Sequence, residues 1–182
     1  MQYDKKYKLH KCTSKDRLRP AIQNVYFDKA EKSLVITNGT VLAKIAVSDC
    51  EQDQAALIDD KAFASTVKGK GIAAVSIQDG KLTDASNGVT MPIDTETEFY
   101  PPYTKAMPKQ DEQVTFKLGI SAKELFNLSQ ALGNEKLVLS FYEKGFKTDD
   151  RSYKSAITVQ AWDEQDTENI GLIMSDNGYK YQ

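Results

Sequence analysis

The sequence has little of what metal enzymes and secreted proteins are usually built from. Its 182 residues include one histidine and two cysteines, too few for a disulfide framework or a zinc site of familiar spacing. It contains no Walker-type phosphate loop and no G-x-S-x-G motif. No apolar run approaches the roughly 20 residues that a membrane helix needs. These absences argue against a disulfide scaffold, a hydrolase of the common kinds and a membrane protein.

The remaining candidates for catalysis have simpler explanations. His10 and Cys12 lack further ligands for a metal. Asp59-Asp60 is better explained as a helix cap and Asp149-Asp150 as a pair in a loop. The N-terminal residues, MQYDKKYKLHK, lack the apolar core of a signal peptide. We therefore expect a cytoplasmic protein without catalytic residues, metal or cofactor, and with no membrane partner.

The charge is nearly balanced overall but uneven along the chain. A formal net charge of −2 argues against binding nucleic acid over the whole surface. Residues 1–19 nevertheless carry seven basic residues against two acidic ones, whereas residues 163–168 are acidic. The basic run has two interpretations, a solvated leader with little order or an arm that contacts phosphates.

The stretch Val114–Tyr142 gives the clearest structural pattern. Apolar residues alternate before Ser121, which predicts a strand over 116–120. Ser121 and Glu124 form the pattern of a capping box for a helix with an apolar face. Gly133, followed by Asn134, is typical of a helix end. Alternation then resumes over 137–141, so the stretch predicts a strand, a capped helix and a second strand.

The same order recurs earlier in the chain. Asp59 or Asp60 caps a short helix that ends near Val67, and the helix lies between predicted strands. Its cap precedes Ser121 by about 60 residues, a plausible length for a repeated unit. Asn38-Gly39, Asp79-Gly80 and Asn87-Gly88 are hairpin signals. The other predicted strands are 7–12, 22–28, 33–37, 41–47, 56–58, 72–78, 81–85, 89–93, 155–162 and 169–174.

These patterns predict an α+β fold of repeated strand–helix–three-strand units, with a mainly antiparallel sheet and few helices. Residues 1–108 are expected to form a first domain of two units, of which the first lacks its helix and the second is complete. This domain ends in the proline-rich connector 95–108. Residues 109–182 form a third half-unit. Whether this half-unit packs with the first domain as a single domain stays open. A charged hairpin loop is expected over 143–154 and a frayed tail over 176–182.

Three segments resemble the bacterial DNA polymerase III beta subunit, the sliding clamp. Residues 18–47 look like the clamp segment whose hairpin carries a T-D-G-H-R-L-A motif, and this motif reads TNGTVLA at residues 37–43. FYPPYTKAMP, residues 99–108, is similar to its F-P-x-Y-x-x-x-x-P connector, and residues 114–174 resemble the second half of its last domain. The resemblance implies a DNA-clamp-like fold. The chain departs from the family in its shorter length and in Thr40 and Val41, which stand where the motif has basic residues. A shortened relative, from a phage or a mobile element, fits these features.

The resemblance implies a groove for short peptides of replication or repair proteins. Apolar, methionine-containing surfaces suit extended peptides with aliphatic or aromatic anchors. For Ile22 and Leu42 a role in the sheet core is the simpler interpretation. The positions that match the family's groove are Ile22, Thr37, Gly39, Leu42, Pro101, Lys105, Ala106, Leu172 and Met174.

The resemblance also implies double-stranded DNA as a partner, held through phosphates by lysines near the helices. Lys68-Gly69-Lys70 suits this role because glycine lets backbone amides approach an anion, but these residues can equally be lysines that confer solubility. For Lys123 the solubility role is favoured. The candidates are Lys61, Lys68, Lys70, Lys123 and Lys136.

Two functional hypotheses follow. The first is a non-enzymatic scaffold or processivity factor that acts on DNA in replication or repair, as a homo-oligomer that closes a ring. The alternative is a clamp-derived interaction module that binds replication proteins through the groove without encircling DNA. An unrelated structural role for a clamp-shaped protein is a third, weaker hypothesis.

Overall fold

The protein is described from a computed structural model, which covers residues 1–107, 118–131, 135–141, 146–147, 152–153, 156–161 and 170–174. The chain divides into two compact units, Met1–Met107 and Pro108–Gln182. Each unit has its own antiparallel sheet structure and its own buried apolar cluster.

The first unit contains two four-stranded antiparallel sheets and one short α-helix. The strands are β1 (Gln2–Asp4), β2 (Asn24–Asp28), β3 (Ser33–Thr37), β4 (Leu42–Ala46), β5 (Ala56–Asp59), β6 (Ile72–Gln78), β7 (Lys81–Asp84) and β8 (Thr90–Pro92). The sheets have the strand orders β4-β3-β2-β5 and β1-β6-β7-β8. Helix α1 spans Asp60–Thr66, and 3-10 turns span Leu9–Cys12, Pro20–Gln23 and Tyr103–Ala106.

The first unit consists of two halves, one with strands β1–β4 and one with strands β5–β8, and the halves exchange their first strands. Strand β1 of the first half pairs with β6 of the second, and β5 of the second half pairs with β2 of the first. Each sheet therefore takes three strands from one half and one from the other. In the first half, the 3-10 turn Leu9–Cys12 lies between β1 and β2 in the chain, as α1 lies between β5 and β6.

The predicted strand over 7–12 is wrong. The first strand is instead Gln2–Asp4, which pairs with β6, and Leu9–Cys12 forms the 3-10 turn. Met1 and Tyr3 are buried, and the ring of Tyr3 stacks on Phe63 with a centroid distance of 5.5 Å. The start of the chain is thus part of the core, which excludes the interpretation of these first residues as a solvated leader.

The sheet β4-β3-β2-β5 contributes side chains to two apolar clusters, one on each face. Val25 and Phe27 of β2, together with Leu34 and Ile36 of β3, belong to the larger cluster, which we call the main core. Val35, between the last two, faces the opposite side, as expected because successive side chains of a strand point to opposite faces. The sheet β4-β3-β2-β5 is therefore apolar on both faces.

The local signals for α1 and the hairpins are confirmed. The Asp59 carboxylate caps α1 by accepting hydrogen bonds from the amides of Lys61 (2.9 Å) and Ala62 (3.4 Å). Asp79 and Gly80 both have positive φ angles, 49° and 68°, as a tight hairpin turn requires. The hairpin at Asn38 is also present, but Thr37 pairs with Leu42, so its loop has four residues rather than two.

The second unit contains helix α2 (Ala122–Ala131) and a three-stranded sheet formed, in this order, by β13 (Ile170–Met174), β12 (Ala156–Ala161) and β9 (Leu137–Ser140). The amide of Glu124 donates to the Ser121 hydroxyl at 3.3 Å, which confirms the cap. Residues 118–120, within the predicted strand over 116–120, are not in a strand. The rest of that strand, Gly133-Asn134, the acidic stretch 163–168 and the tail 176–182 lie outside the described residues. Strands β10 (Phe146–Lys147) and β11 (Ser152–Tyr153) form a separate antiparallel pair.

Candidate peptide groove and basic surface

The proline-rich connector after β8 covers the face of the sheet β4-β3-β2-β5 that is opposite the main core. Tyr100 and Tyr103 are buried there against Val35 and Leu57, with Ile22 from the 3-10 turn Pro20–Gln23. A proline-rich segment suits this position because it runs across the face without forming a further strand. The connector and the turn together build a surface outside the main core of the unit.

Two tyrosine hydroxyls fix the connector. The Tyr103 hydroxyl donates to Asp28 Oδ2 at 2.9 Å, and the Tyr100 hydroxyl donates to the Val35 carbonyl at 3.4 Å. Burial, and then the hydrogen bond to Asp28, raise the pKa of Tyr103 to about 12. Burial also raises the pKa of Tyr100. Both rings therefore stay neutral at physiological pH and keep their hydrogen atoms for these bonds.

A cavity of about 610 Å³ opens beside this cluster. Buried Ile22 and Leu57 contribute to its apolar lining. Leu18 and Phe99 also line it but are 90% and 70% exposed, so they offer apolar surface to a ligand. We call this cavity the groove. Its lining residues are Leu18, Arg19, Pro20, Ala21, Ile22, Asn24, Thr37, Gly39, Leu57, Asp94, Glu96, Phe99 and Pro101.

One wall of the groove depends on Gly39. This residue has a φ of +91°, and a Cβ atom built on it would lie 3.1 Å from Arg19 Nη1. A side chain here would be strained by the backbone and crowded by the guanidinium. Arg19 is held in turn by Asp16, whose Oδ2 atom accepts from Arg19 Nε at 2.9 Å.

The structure places the predicted groove residues in three groups. Ile22, Thr37, Gly39 and Pro101 line the groove. Leu42 is half-buried and packs against the Tyr100 and Tyr103 cluster. The others lie elsewhere: Lys105 and Ala106 are exposed on the turn Tyr103–Ala106, and Leu172 (exposed) and Met174 belong to β13 of the second unit.

Sequence reasoning missed several lining residues. Leu57 could have been found from alternation, because Ala56 and Ile58 on either side face the main core. Asp94 gave no such signal. It reaches the groove because its backbone pairs with Leu57, with N–O distances of 2.7 and 3.3 Å.

The basic residues near α1 form a second candidate surface. Lys61, Lys68 and Lys70 are exposed. The loop that carries the last two is tied to the start of the chain, because the Lys5 amide donates to the Gly71 carbonyl at 2.8 Å and Lys8 Nζ donates to the Val67 carbonyl. We call Lys5, Lys6, Lys8, Lys68 and Lys70 the basic surface.

The other predicted phosphate contacts belong to the second unit. Lys123 lies in the first turn of α2, and Lys136 directly precedes β9. Both are exposed. Glu124 adjoins Lys123 and is also exposed, so this helix start presents charges of both signs.

The only histidine packs beside α1. The ring centroids of His10 and Phe63 are 6.1 Å apart. Partial burial, then the positive charges of Lys11 and Lys8, lower the pKa of His10.

Among the residues that the structure describes, no three acidic, histidine or cysteine side chains lie together as metal ligands would. Cys12 and Cys50 are free thiols, and Asp149-Asp150 lies outside the described residues.

Within the described ranges, neither helix combines the length and apolar character needed to cross a membrane.

Three solved structures show what the fold is similar to. DNA polymerase III subunit beta from Borrelia burgdorferi matches with 16% identity and a TM-score of 0.60, over 97% of this chain and 48% of that one. The sliding clamp from Pseudomonas aeruginosa matches with 13% identity and a TM-score of 0.62, over 97% and 51%. The clamp from Bacillus subtilis matches with 11% identity and a TM-score of 0.63, over 97% and 49%.

Sequence comparison does not reach this relationship. No protein-family model matches the chain, and no curated protein matches it. The chain spans about half the length of the clamps to which it is similar. The structural likeness nevertheless confirms the fold class and the resemblance that the motifs indicated: the chain has the fold of bacterial DNA polymerase III beta subunits, the sliding clamps.

Proposed function

We propose that this protein is a non-enzymatic, clamp-like scaffold of DNA replication or repair, which holds partner proteins by short peptides in the groove. One observation carries the proposal. Four residues chosen by motif similarity, Ile22, Thr37, Gly39 and Pro101, line a single cavity in a chain with the sliding-clamp fold.

The shape of the groove favours a peptide as its ligand. Its volume of about 610 Å³ lies within the range of typical ligand sites. Exposed apolar side chains at Leu18 and Phe99 extend its surface outward, as expected where an extended chain lays anchors on a protein surface. Buried Ile22 and Leu57 provide a firm apolar floor for an aliphatic or aromatic anchor.

Phe99→Asp tests this proposal. The side chain is largely exposed, so the variant should fold, while the new charge should weaken binding of an apolar anchor about tenfold or more. The measurement is fluorescence anisotropy with a short labelled peptide that carries leucine and phenylalanine anchors. Phe126→Asp is the matched control, because Phe126 is 64% exposed and lies on α2. Equal affinities for all three proteins, or no binding by any of them, would contradict the proposal.

The basic surface supports a second activity, association with duplex DNA. The hydrogen bonds of Lys5 and Lys8 bring the basic start of the chain beside Lys68 and Lys70. Lys6 pairs with Asp4 at 3.5 Å, whereas neither Lys68 nor Lys70 forms an ion pair in the part of the chain described. Clustered cations of this kind favour phosphates without regard to base sequence.

Charge reversal tests the DNA association. The double variant Lys68→Glu and Lys70→Glu should weaken binding to a duplex about tenfold or more at low salt and reduce the salt dependence of what remains. Lys29→Glu with Lys81→Glu changes the charge equally at exposed positions outside the basic surface. If both double variants bind DNA like the parent protein, the proposed association of the basic surface with duplex DNA is contradicted. The alternative hypothesis, an interaction module that does not encircle DNA, is then favoured.

A further inference from the structure

The charged side chains that line the groove differ in whether they form ion pairs. Arg19 on one wall already pairs with Asp16 at 2.9 Å. Asp94 and Glu96 also line the groove, both are exposed, and neither forms an ion pair within the described residues. The groove therefore combines an apolar floor with a rim whose unpaired charge is negative.

The backbone holds these two carboxylates in place. Asp94 is paired with Leu57 of the groove floor through two backbone hydrogen bonds of 2.7 and 3.3 Å. Its Oδ1 atom accepts from the Glu96 amide at 2.8 Å, which fixes the turn that carries Glu96. The negative rim thus lies directly beside the apolar floor.

We propose that the groove selects peptides in which a lysine or arginine accompanies the apolar anchors, and that Asp94 and Glu96 bind this cation. This inference rests on the proposed function of the groove. A basic side chain suits the site because its aliphatic stem can lie on Phe99 while its charged end reaches the carboxylates. Complementary charge at the rim of an apolar site mainly confers specificity and faster association.

The test uses three short synthetic peptides with the same leucine and phenylalanine anchors. They differ at one flanking position, which is lysine, glutamine or glutamate. At low salt the lysine peptide should bind about fivefold more tightly than the glutamate peptide, with glutamine between them. Added salt should reduce the difference because the charges lie at an exposed rim.

Asp94→Asn with Glu96→Gln should abolish the preference for the lysine peptide over the glutamine and glutamate peptides, because it removes both negative charges from the groove. Asparagine keeps an oxygen that can accept from the Glu96 amide, so the turn should persist. Glu98→Gln is the matched control, since Glu98 is exposed nearby but does not line the groove, and it should retain the preference.

The outcomes separate the two proposals. If all three peptides bind equally, or if the preference survives in the Asp94 and Glu96 variant, the charge selection is wrong while the peptide groove stands. If none of the peptides binds the parent protein, the proposed function itself is overturned.

Discussion

Asp53 shows how one polar side chain supports the core of the first unit. The residue is buried and accepts hydrogen bonds from the Met1 amino group and the Ile77 amide, both at 2.6 Å. Met1 and Ile77 belong to the same apolar cluster. The carboxylate therefore links the start of the chain to β6 inside the core.

Replacing Asp53 by alanine should destabilise the protein by about 3 kcal/mol, because the buried Met1 ammonium loses its ion-pair partner and the buried Ile77 amide loses its acceptor. Chemical denaturation followed by circular dichroism measures the loss. Glu51→Ala removes an exposed carboxylate that pairs with Lys32 at 3.0 Å and should destabilise the protein far less than Asp53→Ala, because solvent screens an exposed ion pair. Similar losses for the two variants would show that Asp53 does not have this role.

At the residue scale, motif similarity selected four of the residues that line the groove, and their role in binding peptides stays a prediction. Thr37 and Gly39 were found because a hairpin motif is local in sequence. Asp94 and Phe99 were not found, because their position depends on the pairing of Asp94 with Leu57 and on the burial of Tyr100 beside Phe99. Such long-range contacts leave no short pattern in the sequence.

Among the elements, α1 depends strongly on its cap. It has only seven residues, too few to be stable without help from its ends and its packing. Asp59 provides the N-terminal cap, and Phe63 is fully buried. The basic loop that contains Lys68 and Lys70 follows directly, so the stability of α1 also affects the position of this loop.

Asp59→Ala should destabilise the first unit by about 1 kcal/mol, since the amides of Lys61 and Ala62 lose their acceptor. Asp59→Ser should recover most of this loss, because serine is also a good cap. Asp60→Ala, which removes a neighbouring charge but no cap, should cost about 0.5 kcal/mol or less. Thermal unfolding of the three variants provides the comparison, and an Asp59→Ser variant as unstable as Asp59→Ala would contradict the capping argument.

Elements with strong local patterns were predicted well. Strand β6 alternates between buried and less buried residues, β3 is a short apolar run followed by the Asn38-Gly39 turn signal, and a cap precedes α1. Strand β1 was missed because three residues carry too little alternation to be recognised. It is a strand because β6 pairs with it and because the main core buries Tyr3, and neither fact can be read from the first residues alone.

At the scale of the whole molecule, the two hypotheses differ in the expected mass. If the protein encircles DNA, it should form a closed homo-oligomer, since the chain spans about half the length of the clamps it matches. Size-exclusion chromatography with light scattering, at low and moderate salt, gives the absolute mass. A defined oligomer supports encirclement and justifies retention assays on circular and linear DNA. A monomer at high protein concentration would favour the interaction module.

The exchange of first strands also has a consequence for synthesis on the ribosome. Gln2 pairs with Ala74, so β1 emerges about 70 residues before its partner strand is complete, and long-range pairing of this kind is slow to form. The first half cannot complete its sheet while it is alone, because that sheet also needs β5 from the second half. The first unit should consequently fold as a whole only after β6 has left the ribosome, and a nascent chain halted before that point should remain sensitive to proteases.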